Sequence, residues 1–535
     1  MSHWIVAPVV LPALLAPIMA MTMRHDLVLQ RTFGLAGQVA LLGIAIWLGL
    51  AAADGNIRIY ELGAWRAPFG IVLVLDRLSA MMLILTSLLG VIVTLYAIGS
   101  DWDRRGWHFH SLFAFQMMGV NGAFLTGDAF NLFVFFEVLL IASYGLMIHS
   151  GGAYRLRAGL QYVVMNLAGS TLFLFALGTL YAVLGTLNMA DMAGKAAEVA
   201  PEDAALLAVG AVLLLIVFAV KAAAFPVQFW LPATYASAPA PVAALFAIMT
   251  KVGAYAIIRV YTLIFGEGTP ELNAFLQSLL LPAACITLIV GAVGVMGAHR
   301  LERTLSFAVL ASMGTLLIAV ALFTPLGLTA ALYYMVHSTF AAAALFLVAD
   351  LVRRGESDGA RPHGLVVAFY FAAAIAMAGM PPLTGFLGKI YVLQAAAPAP
   401  GAALLWAIIL ITSLVTIVGF TRMGSALFWK TAPDPAVPAE DGAPGTALPP
   451  ALAATAAALP LALLALMALA SGPVAGAMER TATQLGERNR YINAVFQPPS
   501  HADEGLTRGN GSYDTGKDGA ADAATKDGGK GEEAH

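Results

Sequence analysis

Apolar runs of about 20 residues recur along almost the whole chain, separated by short polar gaps. A helix needs about 20 such residues to cross the hydrocarbon core of a bilayer. Helices also satisfy their own backbone hydrogen bonds in that core. The sequence therefore predicts an all-α membrane protein with about 14 transmembrane helices, near residues 4–21, 33–53, 78–99, 111–127, 129–149, 160–186, 204–230, 239–265, 274–298, 304–323, 326–350, 364–395, 402–428 and 448–472.

Composition excludes several other classes of protein. Charged residues make up 11% of the 535-residue chain, whereas soluble domains carry about 25%. No basic stripe with interleaved aromatic residues is present, so nucleic-acid binding is not expected. The one cysteine, Cys285, lies in an apolar run and can form no intrachain disulfide. No phosphate-binding glycine loop and no Cys/His metal spacing is evident, so the sequence predicts neither a cofactor nor a metal site.

Arginine and lysine are concentrated in every second gap between the apolar runs. Basic loops of membrane proteins stay in the cytoplasm, so the odd-numbered gaps are predicted to be cytoplasmic. With 14 helices, both termini then face the outside. The twelve basic residues behind this prediction are Arg24, Arg31, Arg104, Arg105, Arg155, Arg157, Arg300, Arg303, Arg353, Arg354, Arg361 and Lys430.

Two segments resemble each other and contain prolines within apolar runs. "FPVQFWLPATYASAPAPVAALFA" includes Pro226, and "MPPLTGFLGKIYVLQAAAPAPGAALLWA" includes Pro381 and Pro382. Each has a proline break, then aromatic residues, then APAP followed by a small-residue helix. The second break comes five helices after the first, and an odd number of helices inverts the second copy in the membrane. Inverted repeats with broken helices, here helices 7 and 12, are typical of secondary transporters.

The end of the chain differs in character from the rest. Residues 431–447 are rich in proline, alanine and acidic residues, which is typical of a flexible link. The final residues are rich in glycine, aspartate and lysine, which is typical of disorder. We therefore expect N-terminal helices 1–3 (1–99), a first five-helix repeat (100–265), a second inverted repeat (266–428), a linker with helix 14 (429–475), and an interfacial segment with a disordered polar tail (476–535).

Five ionisable residues lie well inside predicted spans, each on a different helix. One charged side chain at mid-helix costs about 2.5–3.5 kcal/mol on insertion scales. Four charges together then cost about 10 kcal/mol, comparable with the net stability of a domain. Snorkelling or structural pairing explains one such residue more easily than five, so this set predicts a proton or ion pathway: Glu137, Lys221, Lys251, His337 and Lys389.

A buried lysine beside a movable carboxylate can act as a proton site. Desolvation favours the neutral amine, and a nearby carboxylate favours the ammonium. Carbonyl groups freed by a proline break are tolerated where they line a hydrated cavity. Asn166, Ser170 and Thr171 are expected to be interhelical hydrogen-bond partners, not ion ligands. Asp76 and Arg77 are expected to pair at the start of a helix, and Arg259 is expected to snorkel to the surface.

Four motifs resemble the antiporter-like subunits shared by respiratory complex I and the Mrp-type cation/proton antiporters. They are "GDAFNLFVFFEVLLIASYGLMI", "KAAAFPVQFWLPATYASAPAPVAALFAIMTKVGAYAIIR", "LYYMVHSTFAAAALFLVADL" and "MAGMPPLTGFLGKIYVL". The form "NLFVFFEVLLIASYGL" and the lysine at position 389 are most similar to the D-type subunits of the Mrp (Pha, Sha) group. The likeness covers roughly residues 70–430.

The resemblance implies a role for each of the five ionisable residues. Glu137 matches the fifth-helix glutamate of the family, and Lys221 matches the lysine that is its presumed ion-pair partner. Lys251 matches the eighth-helix lysine, His337 the eleventh-helix histidine and Lys389 the terminal lysine of the broken twelfth helix. One departure is that several relatives carry a second lysine about a turn after the histidine, where this chain has Ala341–Ala344.

The resemblance also implies a function. We expect a proton-translocating subunit of a multisubunit sodium or potassium/proton antiporter, not an enzyme, in a bacterial inner membrane beside subunits of the A, B, C, E, F and G types. The alternative is a proton-pumping membrane subunit of complex I or of a related hydrogenase. A passive scaffold with structural ion pairs is a third reading. No dense carboxylate cage for sodium is evident, which favours protons as the ion that this subunit carries.

Overall fold

The computed structural model describes residues 2–357, 363–429 and 448–497, and the predicted link and polar tail lie mostly outside these ranges. The protein is an all-α membrane protein built from helices α1 (Ala7–Thr22), α2 (Leu27–Ala52), α3 (Arg77–Gly99), α4 (Phe109–Leu125), α5 (Ala129–Met147), α6 (Ala153–Leu184), α7 (Met189–Ala196), α8 (Ala204–Ala222), α9 (Trp230–Ser237), α10 (Ala240–Leu263), α11 (Pro270–Gly297), α12 (Leu301–Ala321), α13 (Pro325–Ser357), α14 (Gly364–Ala378), α15 (Thr384–Ala396), α16 (Ala402–Phe428), α17 (Ala451–Leu469), α18 (Ser471–Gly486) and α19 (Arg488–Phe496).

Eleven of these helices, within the described ranges, are long and apolar enough to span a membrane. The shorter α1 and α14 are also apolar. Each of the 14 apolar runs contains at least one helix, while the number that cross the bilayer stays a prediction. The multi-span character itself follows directly from the repeated apolar runs.

Three helices form the centre of the bundle. The whole apolar stretch of α10 and 94% of those of α12 and α13 are buried, against 33% in α2 and α16. Small residues allow such close packing. A Cβ on Gly253 of α10 would lie 2.5 Å from the backbone nitrogen of Ala222 at the end of α8. Most residues on α10, α12 and α13 are therefore covered by other parts of the protein.

The helical path is interrupted twice where the sequence has prolines. Helix α8 ends at Ala222 and α9 begins at Trp230, with Pro226 between them. Helix α14 ends at Ala378 and α15 begins at Thr384 after Pro381 and Pro382. Proline has no backbone N–H and clashes with the preceding turn, which favours a helix end at both places. Prolines do not always end a helix here, because α1, α11 and α17 each continue through at least one. Both interruptions leave helix ends inside a membrane protein.

A small antiparallel sheet adds to the helices. Strand β1 (Arg58–Glu61) pairs with β2 (Val72–Leu75), with Arg58 opposite Leu75 and Glu61 opposite Val72. The sequence predicts no strand here, because four-residue strands give too short an alternation to recognise. The short helix α7, which lies in the gap between two apolar runs, is not predicted by the sequence either.

The C-terminal helices pack on the protein. Helix α18 contacts α13 and α3, and α19 contacts α7 and β1. Tyr491 of α19 is 4% exposed. The predicted boundary at residue 476 falls inside α18, and the expected interfacial segment is covered by the helical bundle on one side.

Candidate functional site

Glu137 lies two turns into α5 and faces α6. It is half-buried, and the Ser170 hydroxyl donates a hydrogen bond to its Oε1. The carboxylate therefore has a partner on a neighbouring helix, and a hydrogen bond of this kind to an ionised group is stronger than one between neutral groups.

Lys221 lies in the last turn of α8, immediately before the first interruption. Its side chain is buried, and Nζ donates to Oδ1 of Asn166 at 3.0 Å. Asn166 in turn donates from Nδ2 to the Tyr162 carbonyl at 2.9 Å. This second bond fixes the orientation of the amide, so that its oxygen faces the ammonium.

Glu137 and Lys221 do not contact each other directly. No ion pair within 4.0 Å joins them in the described part of the chain, and each is instead bonded to α6. Asn166 and Ser170 are four residues apart and so occupy one face of α6. The structure thus places the two predicted partners on either side of a neutral bridge. The expectation of hydrogen bonds between helices is confirmed for Asn166 and Ser170, and both bonds go to ionisable groups. It is wrong for Thr171, whose hydroxyl donates to the Leu167 carbonyl of the same helix.

Lys251 and His337 lie at the centre of the bundle, on α10 and α13. Both are 0% exposed. Lys251 Nζ and His337 Nε2 have no hydrogen-bond partner among the described residues. An unpaired buried polar group costs about 1–3 kcal/mol, and more when it is charged. A bound water or a role in proton transfer would account for such unpaired groups.

His337 is bonded to the second interruption. Its Nδ1 lies 2.8 Å from Oγ1 of Thr384, which is the first residue of α15. A Cβ on the next residue, Gly385, would lie 3.0 Å from Cε1 of the imidazole. The absence of a side chain at Gly385 lets α15 approach the His337 imidazole closely. Any movement of α15, one of the two short helices that border an interruption (the half-helices), therefore changes the surroundings of His337.

Lys389 lies on α15, after the second interruption. Its side chain reaches back to the end of α14. Nζ donates to the Ala378 carbonyl at 2.6 Å and to the Ser413 hydroxyl at 2.7 Å. Ala378 is the last residue of α14, so its carbonyl has no partner within that helix. The C-terminal end of a helix carries partial negative charge, which favours an ammonium there.

Hydrogen bonds connect the five residues only in part. Direct or one-residue hydrogen-bonded links join Glu137 to the α6 bridge, the bridge to Lys221, and His337 to the half-helix that bears Lys389. Lys221 reaches α10 through packing, because Gly253 contacts the backbone at the end of α8. No side-chain hydrogen bond joins Lys251 to either neighbour in the described ranges.

Asp76 and Arg259 form a buried ion pair, and the sequence-based predictions for both residues are wrong. Arg259 donates to both carboxylate oxygens of Asp76, at 2.6 and 2.8 Å, and both residues are at least 97% buried. Arg259 therefore does not snorkel, and Asp76 does not pair with Arg77. Asp76 also accepts from the Ser79 backbone N–H as the N-cap of α3. Asp76 and Arg259 are 183 residues apart in the sequence. The one sequence feature that could have indicated the pair is a lone arginine within an apolar run, two turns after Lys251.

A second buried carboxylate, Asp350 on α13, accepts three hydrogen bonds at Oδ2. It accepts from Tyr96, Trp102 and Arg354, each at 2.9 Å. Nearby Asp103 is bonded to Arg31 and His110; burial raises its pKa, but those hydrogen bonds outweigh burial and lower it. Such saturated groups are structural in character, and they contrast with the unpaired nitrogens at the centre.

No group of three or more His, Cys, Asp or Glu side chains suited to a metal ion occurs within residues 2–357, 363–429 and 448–497. The fold and the site together define a many-span helical protein with ionisable side chains along its centre. This is the class that contains ion- and proton-translocating membrane proteins.

Comparison with known proteins identifies the family. Residues 126–416 match the family described as "NADH:quinone oxidoreductase/Mrp antiporter, TM", and this region is more than half of the chain. The protein belongs to that family. It is 38% identical to a relative from Rhizobium meliloti (strain 1021) that is named as a probable K+/H+ antiporter subunit of the D type, over 81% of this chain and 88% of the relative.

Two further comparisons agree. The chain is 38% identical to the D-type subunit of a Na+/H+ antiporter from Alkalihalophilus pseudofirmus, over 80% of this chain and 87% of the relative. Its fold matches a chain in the structure of the Mrp complex from Dietzia sp. DQ12-45-1b with a TM-score of 0.79 and 28% identity, covering 93% of this chain and all of that one.

Proposed function

We propose that this protein is a D-type, proton-translocating subunit of a multisubunit monovalent cation/proton antiporter. The names of the relatives and their coverage of most of both chains support this assignment. The observation that carries the mechanism is the arrangement at α6, where Asn166 holds the buried ammonium of Lys221 while Ser170 holds Glu137. Partner subunits would assemble with the chain, since its fold matches a chain of the Mrp complex.

The proposed mechanism begins at the α6 bridge. Lys221 holds a proton as an ammonium, stabilised by the Asn166 oxygen and by the negative charge of Glu137 one helix away. When Glu137 is protonated or moves from Ser170, the ammonium loses support in a low-dielectric site and releases its proton. We propose that the interruption after Ala222 gives Lys221 a route to water, since non-helical backbone at membrane depth is tolerated where it lines a hydrated cavity.

The proton would then pass sideways through the centre. Lys251 Nζ and His337 Nε2 have no hydrogen-bond partner among the described residues, so both nitrogens are available to exchange a proton through water. His337 contacts Thr384, so its charge can be sensed by the half-helix α15. Lys389 would release the proton on the other side when its bond to the Ala378 carbonyl opens. The cation crosses elsewhere in the complex.

We further propose that the chain acts as a transporter without enzymatic activity, in a bacterial inner membrane with both termini outside. The excess of arginine in alternate loops supports this orientation. The names of the relatives include both K+ and Na+, and either cation fits the proposal. A role in complex I or a membrane hydrogenase is the alternative; genes for small antiporter subunits beside this one favour the antiporter, and genes for iron–sulfur subunits favour the alternative.

Charge-neutral variants test the function. Glu137→Gln and Lys221→Met in the assembled complex should each abolish Na+- or K+-dependent proton flux in everted vesicles, because each removes one charge of the exchange. Glu271→Gln and Lys195→Gln are matched controls, since both residues are on the surface of the protein. Normal assembly of each variant is checked by co-purification of the partner subunits.

Antiport at the wild-type rate in either assembled variant would contradict the mechanism and favour a passive scaffold. Proton flux that is independent of Na+ and K+ but coupled to quinone reduction would instead favour the complex I alternative.

A further inference from the structure

A cavity of about 500 Å³ lies between α2, α3, α13, α17 and α18, away from the row of ionisable residues. Its walls are almost entirely apolar, and small residues such as Gly49, Ala80 and Ala477 provide the space. The inner end is closed by Val336 and Phe340, which stand on either side of His337 in the sequence of α13.

The cavity has the length of one bilayer leaflet. On α3 it is lined by a single helical face from Arg77 to Leu88. Eleven residues of helix rise about 16 Å, roughly half of the ~30 Å hydrocarbon core. The space therefore suits one extended acyl chain that begins at the membrane surface and ends near the midplane.

The outer end of the cavity changes from apolar to charged. Arg77 and Arg480 line both the apolar cavity and an adjoining polar pocket of about 380 Å³. Arg77 donates from Nη2 to the Ala53 carbonyl at 2.8 Å, and its Nε is buried without a partner among the described residues. A guanidinium nitrogen in that state calls for an acceptor such as a phosphate oxygen.

Acidic residues share the polar pocket. Asp54 is bonded to Arg58 at 2.6 Å and Glu487 to Arg490 at 2.9 Å, while Glu479 lies exposed beside Arg480. A site with guanidinium and carboxylate groups side by side matches a head group that carries both charges better than a purely anionic one.

We propose that this cavity is a binding site for a zwitterionic phospholipid that bears a primary amine. Its phosphate binds Arg77 and Arg480, its amine lies near Glu479, and one acyl chain fills the apolar cavity as far as α13. The lipid comes from the leaflet at the N-terminal end of α3. A filled cavity excludes water from the lipid-facing side of the helix that bears His337, so the central proton position stays separated from the membrane.

Lipid retention in the purified complex tests the site. The complex is purified in a mild detergent, and extracted phospholipid is quantified by mass spectrometry per mole of this chain. We expect at least one retained amine phospholipid in the wild type and a several-fold loss in Arg480→Gln, which removes a phosphate ligand from an exposed position. Ala477→Phe fills the cavity and should cause a similar loss. Arg66→Gln, an exposed arginine outside the cavity, should retain the lipid.

Three outcomes would overturn the proposal. They are equal retention in all four proteins, no retained phospholipid in the wild type, and retention of anionic lipid alone. A photoreactive benzophenone side chain at position 477 gives an independent answer in the assembled complex. A phospholipid adduct supports the site, whereas an adduct to another subunit assigns the cavity to a protein partner. Unchanged thermal unfolding of Arg480→Gln shows that a loss of lipid is not a loss of fold.

Discussion

The two interruptions in the helical bundle are alike in sequence but place their lysines on opposite sides. Lys221 precedes the first interruption, in the last turn of α8, and Lys389 follows the second, on α15. The prolines align at a separation of 156 residues, but the lysines do not. The second interruption is therefore not a simple copy of the first, and the two lysines meet different parts of a helix end.

Their partners differ in a way that matters for proton transfer. Lys221 contacts an amide that shares α6 with the partner of Glu137, whereas Lys389 contacts a backbone carbonyl and a hydroxyl. A carboxylate can gain or lose its charge, but a carbonyl dipole is permanent. We infer that the charge of Lys221 is controlled by another titrating group, and that the charge of Lys389 is controlled by movement of the half-helices.

The ends of the two half-helices also differ in strain. Both end in a left-handed residue, Ala223 with φ of 54° and Gly379 with φ of 78°. A left-handed conformation costs an ordinary residue about 1–2 kcal/mol and costs glycine little. At the second interruption a Cβ on Gly379 would also lie 2.7 Å from Cδ of Lys389. Gly379 therefore leaves room for the Lys389 side chain, whereas Ala223 at the first interruption adopts a strained backbone conformation.

The largest expected effect distinguishes the two lysines by stability. Lys389→Met and Lys221→Met should both reduce antiport by more than about 100-fold, since 1.4 kcal/mol of barrier already gives tenfold. Lys389→Met should also unfold at a lower temperature than Lys221→Met. It removes two hydrogen bonds, to the Ala378 carbonyl and the Ser413 hydroxyl, whereas Lys221→Met removes one, to Asn166, and each bond is worth about 0.5–1.5 kcal/mol.

Antiport in everted vesicles and thermal unfolding of the purified complex measure these two effects. Lys389→Arg is the matched control, because it keeps a cation at the end of α14. Equal unfolding temperatures for the two methionine variants would show that Lys389 does not stabilise the interruption.

An intermediate effect is expected at the α6 bridge. Asn166→Leu should lower antiport about five-fold, the equivalent of one hydrogen bond of about 1 kcal/mol. Asn166→Asp adds a carboxylate beside Lys221, which favours the ammonium, so release of the proton needs a lower proton concentration. The pH optimum of antiport should therefore move to higher pH in Asn166→Asp and not in Asn166→Leu.

The pH profile of antiport measures this difference. Ser143→Ala is the matched control, because Ser143 joins α5 to Tyr162 of α6 at 2.8 Å without contacting Glu137. An unchanged pH optimum in Asn166→Asp would mean that the amide only packs the helices together.

The sequence predicted which ionisable residues lie within helices better than it predicted their contacts. An ionisable residue within an apolar run has a large cost, so Glu137, Lys251 and His337 could be identified without knowledge of the fold. The bridging residues could not be assigned to partners, because Asn166 and Ser170 are as compatible with helix packing as with a site. The orientation of one helix around its axis decides between these roles, and the sequence alone leaves it open.

The error at Arg259 has the same physical origin. Sequence proximity suggested that Asp76 pairs with Arg77, yet a bidentate bond to Arg259 is available across 183 residues. In a low-dielectric interior a planar guanidinium that faces both carboxylate oxygens is favoured over an adjacent arginine that can reach a surface. The apolar runs predicted the helices well, while the short strands β1 and β2 lack the length that makes a pattern visible.

The smallest expected effect compares two threonines that hold the interruptions to their neighbours. Thr287 of α11 accepts a hydrogen bond at 2.7 Å from the Phe225 backbone N–H at the first interruption, and Thr384 contacts His337 at the second. Thr287→Val and Thr384→Val each keep the shape of the side chain. Thr384→Val removes the hydrogen bond to His337, whereas Thr287→Val removes two, from the Phe225 N–H and to the Ala283 carbonyl, and each bond is worth about 1 kcal/mol. In a chain of this size each lost bond lowers the unfolding temperature by about 2 °C or less.

Only Thr384→Val should also change transport. Its hydroxyl touches a group that we propose to carry protons, so antiport should fall several-fold in this variant and stay near the wild-type rate in Thr287→Val. Thermal unfolding and proton flux, measured on the same preparations, separate the two effects. Equal flux in both variants would mean that His337 does not respond to α15, and the second interruption would then act on Lys389 alone.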